Sequence, residues 1–204
     1  PISRINIPHI DDKKNPQGLY IRDFELSEDE LKDNVFIHFG GINSCGEVFV
    51  NGMFAGYSQD TFDETEYDIT RLVHPGKNRL AVTVHQFCDG SYLEDQDMWR
   101  LSGIFRDVNL VFKPKTYIKD FYIRSDFAED YQSAVFKIDV TVEARNIACA
   151  KSSVQVQLLD AAGKEVAALS AGVPSLEDGC CVTVGGEVPV TDMELWSHEN
   201  PYLY

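Results

Sequence analysis

The sequence predicts an all-β chain built as two consecutive sandwiches, and three observations carry that expectation. Short runs alternating apolar and polar residues recur along the whole chain, as in residues 80–87 and 134–142. Turn residues separate these runs at regular intervals, and helical periodicity never takes over. At 204 residues the chain is too long for one small β domain, yet long enough to bury a core in each of two.

Taken in order, residues 1–16 are polar and punctuated by proline, and Asn15-Pro16-Gln17-Gly18 reads as a turn. A strand follows at 18–26. Residues 27–31 suit one helical turn, with Ser27 as N-cap and Glu30 three positions on. The next strand, 34–39, is ended by Gly40-Gly41. Strands at 45–50 and 53–57 flank Asn51-Gly52, a hairpin signal because both turn residues need positive φ. Residues 62–68 form a looser, acidic strand, and 69–73 one further helical turn. Strands at 80–87 and 106–112 complete the first set.

Lys113-Pro114-Lys115 interrupts the pattern and marks the boundary between a domain of residues 1–114 and one of residues 115–204. The second series has strands at 118–127, 134–143, 153–159, 165–169 and 180–188, with a hairpin loop at 160–164. Short strands with few helix candidates imply sandwiches in both halves.

Charge narrows the partners. Eighteen basic and 33 acidic residues give a net −15, which argues against nucleic acid and anionic membranes. An acidic surface serves solubility and does not repel a neutral sugar. Five cysteines, Cys45, Cys88, Cys149, Cys180 and Cys181, show no zinc-ligand spacing and read as thiols in a reducing compartment. The five histidines are scattered, with no ligand spacing among them. No apolar run approaches the roughly 20 residues of a membrane span, and no basic-then-apolar signal segment opens the chain.

The chemistry concentrates in residues 89–108, DGSYLEDQDMWRLSGIFRDV. This segment holds acids, an amide, aromatics and two arginines, has no regular period before Arg106, and lies between two strands. Loops on β scaffolds carry binding groups. Three further stretches belong with it: the pattern from Asn51 through Gly52 and Tyr57 to Gln59 and Asp60, the run 76–82 (GKNRLAV), and the closing LWSHENPYLY of 195–204.

Together these motifs resemble the bacterial β-galactosidases of glycoside hydrolase family two, densely over 15–112 and thinly beyond. The resemblance implies an all-β chain: a jelly-roll, galactose-binding-like sandwich in residues 1–114, then an immunoglobulin-like sandwich in 115–204. It also implies that the chain, which starts at Pro1 without Met and stops at Tyr204 in mid-motif, is an N-terminal fragment of a longer, homo-oligomeric hydrolase. In that family two catalytic glutamates sit on a following TIM barrel. The expectation is therefore that no catalytic residue lies in this fragment, that it is inactive alone, and that its partners are that barrel and a β-galactoside substrate. Asp95 and Asp97, two apart in one loop, offer an internal candidate for the carboxyl pair of retaining hydrolysis. The resemblance sets them aside.

By the same resemblance, the aspartate matching Asp97 contacts the galactosyl 6-hydroxyl and a sodium ion. A carboxylate is a hard ligand and a hydroxyl acceptor, so the chemistry is sound. From the residues alone, an ion pair of Asp97 with Arg100 or Arg106 is the competing reading. Gln59 and Asp89 match residues that help hold a structural magnesium with an upstream arm; without that arm both read as plain polar side chains. Trp99, Tyr92, Phe105 and Tyr57 have faces suited to a sugar, with core packing as the default. Arg100, Arg106 and Asp107 are expected to form a loop-fixing ion-pair network. Two other readings remain open: a free-standing carbohydrate-binding module, or the same family acting on β-glucuronides or β-mannosides.

Overall fold

The protein is represented by a computed structural model that describes residues 15–94, 99, 101–191 and 193–204. It is all-β, with fourteen strands among the described residues. The chain divides into two compact units, Pro1–Pro114 and Lys115–Tyr204.

The first unit holds β1 (Gln17–Leu26), β2 (Asn34–Phe39), β3 (Ile42–Asn43), β4 (Cys45–Val50), β5 (Met53–Ser58), β6 (Thr65–Asp68), β7 (Gly76–His85), β8 (Gly103–Ile104) and β9 (Val108–Lys113). They form an antiparallel sheet β1-β7-β4-β5, a second sheet β6-β2-β9, and a two-stranded pair β3-β8. The alternation read in the sequence is the alternation of burial. Leu80, Val82 and Val84 of β7 and Val48 and Val50 of β4 point inward, onto Val35, Ile37 and Phe39 of β2. This apolar core is what holds the two sheets together. At the β4–β5 turn Asn51 has φ 51° and Gly52 φ 82°, the backbone a tight hairpin needs. The Asn51 amide also donates to Leu72 O at 2.9 Å and to Asn78 Oδ1 at 2.8 Å.

Three local expectations need correction. Residues 69–73 make a hydrogen-bonded turn, Leu72 N to Ile69 O at 2.8 Å, with no helix. The acidic strand starts only at Thr65, because Arg106 Nη1 donates to Phe62 O at 3.0 Å and to Gly40 O at 2.9 Å, bending the chain before it. Strand β7 begins at Gly76, earlier than its apolar run, because Gly76 to Arg79 pair with Leu26 to Asp23. By contrast, Ser27 and Glu30 exchange hydrogen bonds as expected, Ser27 N to Glu30 Oε2 at 2.7 Å and Glu30 N to Ser27 Oγ at 3.3 Å, ahead of a 3-10 turn over Glu30–Lys32.

The second unit holds β10 (Thr116–Phe127), β11 (Ser133–Ala144), β12 (Ser152–Leu159), β13 (Glu165–Val173) and β14 (Cys181–Thr191). The sheets are β10-β11-β14 and β12-β13. Phe136, Ile138, Val140 and Val142 of β11 pack on Val154 of β12 and Ala167 and Val173 of β13. Glu143 is its one buried carboxylate among the described residues. Tyr117 Oη donates to it at 2.7 Å, and Lys119 and Arg145 lie 3.3 Å away.

Candidate functional site

One end of the first unit gathers the polar chemistry. Strand β7 runs out at His85, and the next residues are pinned from two sides. Asn15 Nδ2 donates to Phe87 O at 2.8 Å while Phe87 N donates to Asn15 Oδ1 at 3.0 Å. Ser102 Oγ donates to Gln86 O at 3.1 Å. A 3-10 turn over Asp89–Tyr92 follows, opened by Cys88 N donating to Ser91 Oγ at 3.0 Å. Ser44 Oγ lies 2.8 Å from Ser91 Oγ and 2.9 Å from Cys88 Sγ, tying the turn to the head of β4.

Gly90 sets the approach of this turn to the segment after β5. A Cβ there would sit 3.2 Å from Gln59 O and 3.5 Å from Cys88 Sγ. Glycine thus lets two backbones meet where a side chain would push them apart. Four residues on, Glu94 closes the same junction, accepting from Thr61 Oγ1 at 2.6 Å and Thr61 N at 3.2 Å.

The electrostatics centre on Tyr57. Its hydroxyl donates to Gln59 Oε1 at 2.9 Å. Burial pushes the phenol pKa well up; the neighbouring Cys45 thiol and the negative charge of Asp89 push it the same way. Burial likewise raises the Cys45 thiol to about 11, so it stays protonated and unreactive at neutral pH. All five cysteines are free thiols.

Gln59 thus bonds the Tyr57 phenol directly, and Asp89, 30 positions on in sequence, acts on it through its charge. Asp97, Asp95 and Arg100 lie outside the described residues. One expectation about this loop is corrected: core packing does not describe Trp99, which is 89% exposed. Phe105, Tyr57 and Tyr92 are half exposed, with Phe105 set edge-on to Phe62 at 6.1 Å. Of the expected network of Arg100, Arg106 and Asp107, Arg100 lies outside the described residues; the Arg106 guanidinium donates to the two carbonyls named above, and Asp107 O accepts from Gly40 N at 3.0 Å. The Thr61–Glu94 clamp escaped sequence reading. Its partners are 33 positions apart, and an isolated threonine carries no local signal.

Known proteins resolve the lineage. A family model described as "Glycosyl hydrolases family 2, sugar binding domain" matches residues 1–114, and one described as "Glycosyl hydrolases family 2" matches residues 116–204. The chain belongs to glycosyl hydrolase family 2. Within that family it is 39% identical over 198 residues to a β-galactosidase of Clostridium acetobutylicum, covering 97% of this chain and 21% of the relative. It is 38% identical over 205 residues to a β-galactosidase of Enterobacter cloacae, covering 98% and 20%. The chain thus spans about a fifth of the length of the curated relatives it matches. Among solved family 2 structures, a β-glucuronidase of Bacteroides uniformis superposes with TM-score 0.82 at 20% identity, covering 92% of this chain and 23% of that one. A β-glucuronidase of Bifidobacterium dentium gives 0.74 at 22%, covering 91% and 35%. At these identities the likeness is one of fold.

The magnesium expected at Gln59 and Asp89 can be tested against the donors present. An amide oxygen and a carboxylate are both hard ligands, of the kind Mg²⁺ takes with several waters. Gln59 Oε1 accepts from the Tyr57 hydroxyl, and the Asp89 charge is near enough to raise the pKa of the same phenol. No cluster of three or more His, Cys, Asp or Glu side chains suited to a metal occurs among the described residues. The pair fits as part of an oxygen shell whose remaining positions must come from water or other residues.

Proposed function

We propose that this chain is the non-catalytic sugar-site portion of a β-galactosidase that hydrolyses terminal β-D-galactosides with retention. The observation that carries the reading is substrate-branch similarity: β-galactosidases align at 36–39% identity over 93–98% of the chain. The β-glucuronidase likeness rests on fold alone.

Retention requires two carboxyl groups about 5–5.5 Å apart across the glycosidic bond. On this reading those carboxyls belong to a barrel in the rest of the parent polypeptide, and residues 1–204 supply positioning. The loop 89–105, held by the Ser44, Thr61 and Asn15 contacts, presents Asp97 to the galactosyl 6-hydroxyl and to a sodium ion. A bound sodium would supply a fixed positive charge that orients sugar oxygens. Gln59 and Asp89 would take a structural magnesium at the base of the same loop, where Tyr57 already orients the Gln59 amide.

The test is kinetic. The parent enzyme should turn over a chromogenic β-galactoside, and residues 1–204 alone should not. Asp97→Asn in the parent should raise KM about tenfold or more, as loss of a charge-assisted hydrogen bond worth about 1.5–3 kcal/mol does, and should abolish the response to sodium. Unchanged KM and sodium response would remove Asp97 from the site. A parent that prefers a β-glucuronide would move the substrate to the other branch.

A further inference from the structure

Two cysteines far apart in sequence meet at the base of the 89–105 loop. Cys45 opens β4 opposite His85 of β7, in phase with Glu47 and out of phase with the core residues Val48 and Val50. It is nevertheless only 4% exposed. Its thiol is hydrogen-bonded to Tyr57 and to the Cys88 thiol, which cover it. Cys88 is 9% exposed, and its Sγ lies 2.9 Å from Ser44 Oγ and 3.8 Å from Ser44 O, against the residue that precedes Cys45. Two thiols in contact suit a soft metal or a disulfide. A structural metal site needs further ligands, and no cluster of three or more His, Cys, Asp or Glu side chains suited to a metal occurs among the described residues. The exposed pair Cys180 and Cys181 makes the contrast. Neighbouring Cα atoms stand about 3.8 Å apart, short of the roughly 4.4–6.8 Å that a disulfide spans, so that pair closes only with strain.

We propose that Cys45 and Cys88 form a modification site, a reversible disulfide made by exchange with a small disulfide of the glutathione class, which bolts the head of β4 to the base of the 89–105 loop. Cys88 attacks first, because it caps the Asp89–Tyr92 turn and is uncovered when that turn opens locally. Its sulfur bonds to one half of the small disulfide, and the other half leaves as a thiol with the Cys88 proton. A glutathionyl group on a sulfur that is 9% exposed in the closed turn holds the turn open and admits water to Cys45. Cys45 then attacks the Cys88 sulfur, and the second glutathione leaves with the Cys45 proton. Two protein thiols are oxidised, one small disulfide is reduced to two thiols, and no other oxidant enters. Contact between the two cysteines makes the second step intramolecular and fast. The bond itself does not depend on the hydrolase reading above; its consequence, restraint of a sugar-site loop, rests on that reading.

Peptide mass mapping tests the bond. The native 204-residue chain is incubated with oxidised glutathione, quenched in acid, alkylated and cut with trypsin. The expected product joins residues 33–71 to residues 80–100, while Cys180 and Cys181, together on one peptide, carry glutathione and show that the reagent reached the protein. Cys45 and Cys88 both free, or each carrying its own glutathione, would overturn the proposal. In Cys45→Ala, Cys88 should stop at the glutathione adduct; a free Cys88 in that variant would overturn the order of attack. In the joined protein the amides of residues 89–94 should exchange about tenfold more slowly than in the reduced protein, and dithiothreitol should restore the faster rate. Unchanged exchange would show that the bond does not restrain the loop. Galactoside turnover is not read in this experiment, so its failure and that of the hydrolase reading are told apart.

Discussion

The two sandwiches are built from the same alternating pattern but use it differently. In the first unit the core is deep. Val35, Phe39, Val48, Val50, Ile69 and Val82 have no exposed surface, and polar side chains, Asn34, Asn78 and Thr61, are buried with them. In the second unit the strands are longer, the core is formed of smaller or partly exposed residues, and strand β10 leaves Ile118, Phe121, Tyr122 and Ile123 exposed. A loop can be held rigidly where buried polar anchors fix its backbone. The first unit has such anchors and carries the candidate site; the second has Glu143 and short connections. The contrast predicts that large losses of stability fall in the first unit, and five substitutions probe it.

The largest effect is expected from Phe39→Ala. Phe39 is fully buried and meets the Tyr67 ring edge-on at 6.3 Å. Its removal should cost about 3–5 kcal/mol. Phe136→Ala, at the corresponding depth of the second unit but partly accessible, should cost less. Urea unfolding followed by exchange of each unit's strands measures both, and equal losses would erase the contrast.

Asn78→Ala comes next. This residue of β7 accepts from His74 N at 3.0 Å and from the Asn51 amide at 2.8 Å, and donates to His74 O at 2.8 Å and Gly76 O at 3.0 Å. Removing this buried side chain forfeits four hydrogen bonds, each worth about 0.5–1.5 kcal/mol net, so a total of about 2–3 kcal/mol is expected. A thermal shift near zero would mean that water replaces all four bonds.

Much of this contrast was legible in the residues and some was not, for identifiable reasons. Strands such as 80–85 and 134–143 announce themselves by period, because one face meets a core. Asn51-Gly52 announces its turn by the backbone it needs. The β3–β8 pair, two residues a side, is too short to show any period. The Ser44–Ser91 and Thr61–Glu94 contacts join residues 47 and 33 apart, and nothing local to either partner records the other. Gln59 and Asp89 were reached through family resemblance. The residues alone gave two polar side chains, and the fold brings Gln59 into contact with Tyr57 and the Asp89 charge within its reach. Trp99 misleads because an aromatic side chain is usually packing material, whereas this one is exposed on its loop.

The second unit offers a pH test of the same contrast. Burial works against the Glu143 carboxylate, but hydrogen bonds from Tyr117 and Lys119, with the charges of Lys119 and Arg145, outweigh it and hold its pKa below the usual carboxylate range. The folded pKa is lower than the unfolded one, so the contribution is full above about pH 4.3 and is lost as pH falls through the folded value. Glu143→Gln should cost about 1–2 kcal/mol at pH 7, and the difference from wild type should shrink in acid. A gap that is constant between pH 7 and pH 3 would show that the loss is one of packing.

The smallest effect should come from Thr61→Val, and it separates stability from positioning. The substitution keeps the side-chain shape and the 3.2 Å backbone bond, and removes only the 2.6 Å hydroxyl bond to Glu94. The expected cost is about 1 kcal/mol, near the limit of a melting experiment. The loop that Glu94 terminates, however, would lose one of two restraints to the chain after β5. Exchange at residues 89–94 should therefore quicken several-fold while the β2 amides stay unchanged. In the parent enzyme KM for a galactoside should rise with kcat held, because a loosened loop weakens sugar positioning without touching the reacting carboxyls. If KM and loop exchange both match wild type, the Thr61–Glu94 contact does not position the loop.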